Sequence, residues 1–233
     1  MTGCLIIHGY TGGPYEVDPL VQYLKENTDW NIVVPTLPGH GKTLKLENAS
    51  HEKWLQTAET YLLHLKKKHQ TVYIIGFSMG GMIAAYLAAK HGVEKLVLLA
   101  PAGKFISLKQ MTMDIGEVLL DRFKGKLEEN NLYVRYREKA GAVPLKANLE
   151  FIKLVMHTRR YLDEIEIPVL IAQGQKDSMV PAKTVYYLDK KIASKQKEVV
   201  MFDRSRHQIC LGDDKDTLNT IVYDFLAGNK VNQ

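Results

Sequence analysis

Short apolar runs and helically spaced apolar positions take turns along almost the whole chain. Cys4-Leu5-Ile6-Ile7 is an apolar run closed by Gly9 and predicts a buried strand. Beyond a glycine-rich turn, Val17, Leu20, Val21 and Leu24 recur at helical spacing and predict an amphipathic helix. Ile32-Val33-Val34 is the next strand, stopped by Pro35 and Pro38. Ser50 stands at the N-cap of a helix whose apolar face is Trp54, Ala58, Tyr61, Leu62 and Leu65, with Glu52 favourably placed in its first turn. Val72-Tyr73-Ile74-Ile75 is β-branched or apolar throughout and predicts a strand buried on both faces. The Ala-, Met- and Leu-rich stretch from Met79 to about His91 predicts a helix, and Leu96-Val97-Leu98-Leu99 another central strand.

The alternation breaks between residues 103 and 160, where no convincing buried strand occurs. Leu108, Met111, Ile115, Val118 and Leu119 mark one amphipathic helix there, and Leu145, Leu149, Ile152 and Met156 a second. Regular alternation then resumes with the strand Val169-Leu170-Ile171, a helix bearing Val185, Leu188 and Ile192, the strand Val199-Val200-Met201-Phe202, and a helix bearing Leu218, Ile221, Val222, Phe225 and Leu226. This order predicts an α/β fold: a mostly parallel central sheet with helices on both faces. Its core comprises residues 1–102 and 161–233, and residues 103–160 form an inserted helical cap. Internal repeats and low-complexity segments are absent from the sequence.

At 233 residues, with 45% hydrophobic and 24% charged positions, the chain fits one globular domain carrying an insertion. The formal charge of +5 is concentrated in residues 103–160, which hold twelve Lys or Arg against seven Asp or Glu. No basic stripe interleaves with aromatics, so a solvated helical surface is favoured over a nucleic-acid partner. Lys66-Lys67-Lys68 suits a helix C-terminus, where cations complement the dipole. Apolar runs fall short of a membrane span, so stable membrane insertion is not expected. The opening Met-Thr-Gly-Cys lacks the pattern of a signal peptide, so a cytoplasmic location is expected. Cys4 and Cys210 lack metal-ligand spacing and read as reduced thiols; Cys210 stands close to His207, but a small buried filler is favoured over a nucleophile.

Candidate chemistry centres on Gly76-Phe77-Ser78-Met79-Gly80, a G-x-S-x-G pentapeptide. It follows the best strand in the chain and precedes a helix, as a nucleophile elbow requires. A serine hydroxyl needs a general base, and the base needs an orienting acid, in the chain order serine, acid, histidine. Asp177 follows the strand ending at Gln173 and His207 follows the strand ending at Phe202, so both stand in loops at the same sheet edge as Ser78. His51, His64, His69 and His91 fall on or beside helices, His157 lies in the cap, and His8 and His40 precede the serine. Asp203 is the main rival for the acid, but it stands very near His207 in sequence. The oxyanion formed on attack needs two donors. In a nucleophile elbow one is the backbone N–H of the residue after the serine, here Met79. The other is expected from His8-Gly9-Tyr10-Thr11-Gly12-Gly13, with Tyr10 the favoured donor. A glycine-rich turn also suits a phosphate, but the dinucleotide fingerprint and the Walker lysine are both missing.

Taken together, His8-Gly9-Tyr10, Leu37-Pro38-Gly39-His40-Gly41, Gly76 to Gly81, the Gly174–Asp177 turn followed by Val180-Pro181, and His207 resemble the carboxylesterase and monoacylglycerol-lipase branch of the α/β-hydrolases. The likeness covers nearly the whole chain apart from the cap. It implies an α/β-hydrolase fold and a serine hydrolase working without cofactor or metal. Ester cleavage would proceed in two steps through an acyl-serine, with Ser78, Asp177 and His207 as triad and Tyr10 and Met79 as oxyanion donors. Two departures stand out. The family's strand hairpin ahead of the His-Gly strand has no counterpart, so a smaller sheet is expected at one edge. Arg206 occupies a position where glycine or serine is common.

The cap supplies the substrate expectation, a short- to medium-chain acyl ester such as a monoacylglycerol. Met111, Met113, Leu119 and Met156 are candidates to line an acyl chain, because methionine adapts to irregular apolar ligands; packing of the cap against the body explains them equally well. The basic cap suggests an anionic acyl donor. Acyl-thioester hydrolysis, aminopeptidase activity and carbon–carbon bond hydrolysis use the same machinery and stay open. A non-catalytic ligand-binding role is least favoured. Oligomeric state has no sequence signal.

Overall fold

Each apolar run becomes a strand, and the strands alternate their side chains between two helical layers. The structure is a computed structural model that describes residues 2–104 and 143–229. Strands β1 (Thr2–Ile7), β2 (Asn31–Val33), β3 (Thr71–Phe77), β4 (Lys95–Leu99), β5 (Val169–Gly174) and β6 (Lys197–Phe202) form one sheet in the order β2-β1-β3-β4-β5-β6. Every neighbouring pair is parallel. The helices are α1 (Asp18–Asn27), α2 (His51–Lys68), α3 (Met79–His91), α4 (Leu145–Thr158), α5 (Lys183–Lys191) and α6 (Lys215–Ala227).

The period-two alternation divides the core. Leu5, Ile7, Ile74, Leu96, Leu98, Val169 and Ile171 face the layer that contains α2, α3, α4 and α5. Cys4, Ile6, Ile75, Val97, Leu99, Leu170 and Ala172 face α1 and α6. Because β1 connects outward to β2 on one side and β3 continues to β4 on the other, the winding reverses between β1 and β3. Ligands bind beyond the carboxyl ends of strands at such a reversal. The loop after β1 and the turn after β3 both lie there.

Several expected details shift. Strand β2 begins at Asn31 and ends at Val33, one residue earlier than the apolar run suggests. Strand β5 runs to Gly174, one residue past its expected end at Gln173, and carries Gln173 into the buried sheet. On α2 Ser50 does cap the helix, its hydroxyl accepting from the Lys53 N–H, but Tyr61 is exposed and Leu55 takes its place in the core. Helix α4 forms, but rotated from its expected face: Leu145, Leu149 and Met156 are exposed, at 69%, 48% and 58%. Ala147, Phe151, Leu154 and Val155 face inward with Glu150 and Thr158. The inward stripe was obscured because two of its members are polar, and each has a partner of its own: Glu150 meets His51 and Lys153, and the Thr158 hydroxyl donates to the Leu154 carbonyl. The first expected cap helix, with Met111, Met113 and Leu119, lies outside the described residues.

Candidate active site

Ser78 sits on a tight strand-to-helix turn. It follows β3 directly, has φ +54° and ψ −114°, and α3 starts at the next residue. The turn is held by hydrogen bonds from Ser78 N–H to the Leu99 carbonyl (2.8 Å) and to the Ser78 carbonyl from Gly81 and Ala102 (3.0 and 3.1 Å). Glycines make it sterically possible. A Cβ on Gly76 would collide with the Gly80 backbone, and one on Gly80 would collide with the carbonyl oxygens of Ile7 and His8. Thus the end of β1 is pressed against the first turn of α3, and the loop bearing Tyr10 is brought beside the N-terminus that Met79 opens.

Asp177 and His207 converge on the same point from β5 and β6. His207 Nδ1 lies 2.7 Å from Asp177 Oδ2, and His207 Nε2 lies 2.9 Å from Ser78 Oγ. All three residues are nine-tenths or more buried. The carboxylate is itself clamped. Its Oδ1 accepts from the backbone N–H groups of Met179 (2.9 Å) and Val180 (2.8 Å), and Oδ2 also accepts from Gln173 Nε2 (2.6 Å). Gln173 is fully buried and its amide donates in addition to the Val180 carbonyl, so its side chain steadies the whole Asp177 turn. Gly174 lets this loop and the histidine loop touch, since a Cβ there would strike the Ser205 carbonyl. The histidine loop is anchored a second time by Asp214, which accepts from the Ser205 hydroxyl (2.7 Å) and Arg204 Nε (3.0 Å). Those bonds hold its carboxyl below the usual range: the Ser205 bond dominates, burial opposes it, and the Arg204 bond and charge add to it.

The rivals for these roles are otherwise engaged. Asp203 accepts from the exposed Gln175 amide and makes no bond to His207 among those described. His8 is fully buried, with Nδ1 donating to the Gly9 carbonyl and Nε2 accepting from the Leu37 N–H, so it joins the β1 loop to the Leu37 loop. His40 packs edgewise on Trp54 and Tyr10. Cys210 is buried and desolvation pushes its thiol up to about 12, with the Glu16 charge adding to the shift, which removes it as a nucleophile.

Around Tyr10, α4 packs against the loop that follows β1. The Tyr10 ring stacks on Phe151 of α4, centroids 4.6 Å apart and planes 10° apart. Its hydroxyl donates to Asn148 Oδ1 (2.9 Å). Met156, on the same helix, is exposed rather than turned inward. Three polar residues near the site went unrecognised in the sequence. Gln173 had a signal, being the one polar member of an otherwise apolar buried run. Glu16 and Gln208 had none. Both read as loop residues, yet the Glu16 carboxylate accepts from the Gly9 N–H (2.9 Å) and from Gln208 Nε2 (3.0 Å). One carboxyl-and-imidazole group, His51, Glu52 and Glu150, has metal-ligand proximity. Its Glu150 is already bonded to His51 Nδ1 at 2.6 Å and to Lys153 at 2.7 Å. Among the described residues no helix is long and apolar enough to cross a membrane.

Comparison with known proteins places the fold and the family. Residues 2–214 match the family described as Hydrolase_4: serine aminopeptidase, S33. A thermostable monoacylglycerol lipase from Bacillus sp. (strain H-257) is 28% identical over 97% of this chain and 90% of its own length. A carboxylesterase from Bacillus subtilis (strain 168) is 24% identical over 95% of this chain and 91% of its own. Among solved structures, the monoacylglycerol lipase of Paleococcus ferrophilus superposes with a TM-score of 0.73 at 17% identity, covering 97% of this chain and 94% of that one. The fold and the family agree, and the chain belongs to the Hydrolase_4 (serine aminopeptidase, S33) family of the α/β-hydrolase superfamily as a hydrolase of the lipase and esterase type.

Proposed function

We propose that the protein hydrolyses carboxylic esters of short- to medium-chain acids, monoacylglycerols among them, through an acyl-serine on Ser78. The observation that carries this reading is the continuous hydrogen-bonded line from Ser78 Oγ through His207 to Asp177, at 2.9 and 2.7 Å. His207 Nε2 takes the hydroxyl proton as Oγ bonds to the ester carbonyl carbon, and Asp177 stabilises the resulting imidazolium through Nδ1. The N–H groups of Tyr10 and Met79 receive the oxyanion. Collapse of the tetrahedral intermediate expels the alcohol, which takes the proton from His207. Water then attacks the acyl-serine by the same route, returning the acid and free Ser78. The names of the monoacylglycerol lipase and carboxylesterase relatives support this choice of substrate.

A fluorophosphonate probe tests the machinery, and esters of graded acyl length test the substrate. The expected result is label on Ser78, turnover that peaks at short or medium acyl length, and loss of both in Ser78→Ala. Label without ester turnover would redirect the substrate to a thioester, a peptide or a carbon–carbon bond; the aminopeptidase in the family's name makes peptides the second class to assay. Turnover surviving in pure Ser78→Ala would remove the mechanism.

A further inference from the structure

A carboxylate taken out of water is costly unless donors are aimed at it. Glu16 is one of the most enclosed acids in the described structure, 5% exposed, and it sits at the end of a three-residue 3-10 turn, Pro14–Glu16, directly beneath the loop that follows β1. Its two oxygens divide between two loops. Oε2 accepts the Gly9 N–H at 2.9 Å, one residue before Tyr10, and Oε1 accepts Gln208 Nε2 at 3.0 Å, one residue after His207. The loop is shaped to receive it. A Cβ on Gly12 would overlap the Glu16 carboxylate, so the backbone lies directly against the acid at that point. The neighbouring Thr11 takes φ +59°, in the left-handed region, to make the turn. Gly12 in turn offers its carbonyl to the Gly41 N–H at 2.9 Å, fixing the far side.

We propose that Glu16 is a positioning residue that ties the oxyanion loop to the histidine loop, one carboxylate oxygen holding Gly9 and the other Gln208. The proposal rests on the roles assigned above to Tyr10, Ser78 and His207. Reaction requires the oxyanion donor and the base to stand at fixed places around one carbonyl carbon, and they arrive on loops from opposite sides of β3. In the serine–histidine–aspartate line the histidine loop is tied to β3 and β5, and through Asp214 to itself. Glu16 supplies the connection to the β1 loop, which carries the oxyanion donor. Gln208 is oriented for this: its Oε1 is buried without a hydrogen-bond partner among the described residues, while its Nε2 is turned to the acid.

The rate of fluorophosphonate labelling of Ser78 is the primary readout, because it uses the nucleophile, the base and the oxyanion donors without requiring a particular acyl substrate. Glu16→Ala should label about 100-fold more slowly than wild type yet reach the same final stoichiometry, in line with what small misplacements of reacting groups cost. With an ester substrate the loss should fall on kcat and leave KM within about twofold. Glu16→Gln should recover most of the rate, since its amide oxygen can accept from Gly9 while its NH2 donates to Gln208 Oε1 after that amide rotates. If Glu16→Ala fails to fold, Gln208→Ala cuts only one arm and should slow labelling about tenfold. Wild-type labelling rates in Glu16→Ala or Gln208→Ala, a loss confined to KM, or a Glu16→Gln as slow as Glu16→Ala would each overturn the proposal. Absence of label on wild-type Ser78 would instead overturn the catalytic reading on which it stands.

Discussion

Ser78, the proposed nucleophile, also carries a backbone burden. At φ +54° an L side chain is strained by about 1–3 kcal/mol, tolerated only where surrounding bonds over-determine the turn. The three hydrogen bonds that the Ser78 backbone makes with Leu99, Gly81 and Ala102 provide that constraint. Ser78→Ala and Ser78→Gly should therefore both be inactive but differ in stability. Relief of strain should make the glycine variant the more stable by about 1 kcal/mol, or about 2–4 °C in Tm for a chain of this size. Thermal unfolding of the two proteins, side by side, checks it; a more stable alanine variant would mean that the turn relaxes without its hydroxyl. The convergence of Ser78, Asp177 and His207 was legible in the sequence because each follows an apolar run that reads as a strand, so the sheet itself brings them to one edge. Glu16 and Gln208 were not, because a polar loop residue shows its role only through a partner far away in the chain, here 192 residues.

Between elements, the contact of α4 with α2 is decided by one acid. The Glu150 carboxylate accepts both the backbone N–H of His51 (3.1 Å) and its ring Nδ1 (2.6 Å) at the first residue of α2, and Lys153 at 2.7 Å. A helix N-terminus welcomes negative charge, and here the charge comes from a different helix. Burial works against the charged form, but the bonds from the His51 ring, Lys153 and the His51 N–H outweigh it and bring the carboxyl from 4.5 to about 2. A carboxyl lowered in the folded state contributes stability that is fully present above its unfolded value near 4.5 and is lost as pH falls towards 2. Glu150→Gln should therefore be less stable than wild type by about 2 kcal/mol at pH 6, a figure that discounts the exposed Lys153. The gap should narrow below pH 4.5 and close as pH approaches 2 in thermal melts, and a gap constant over that range would show that Glu150 is not anionic in the fold. The same helix explains a limit of sequence reading. Periodicity found α4 but assigned its face to Leu145, Leu149 and Met156, because hydrophobicity alone does not reveal that Glu150 and Thr158 have partners inside.

At the scale of the molecule the two sides of the sheet are closed by different helices, and the layer of α1 and α6 encloses both cysteines. Burial pushes both thiols up to about 12, so a disulfide reagent such as Ellman's should find no reactive thiol in the native protein and two in denaturant. Cys210 reacting before global unfolding would show the histidine loop opening by itself, since Cys210 belongs to it. The order of the strands along the chain also has a consequence in time. Because β3 precedes β6, Ser78 is made 129 residues ahead of His207. At ribosomal rates that interval is roughly 6–26 s, during which the proposed nucleophile exists without its proposed base. On the proposed mechanism the growing polypeptide is inert towards the esters around it until the loop after β6, which carries His207, has been made.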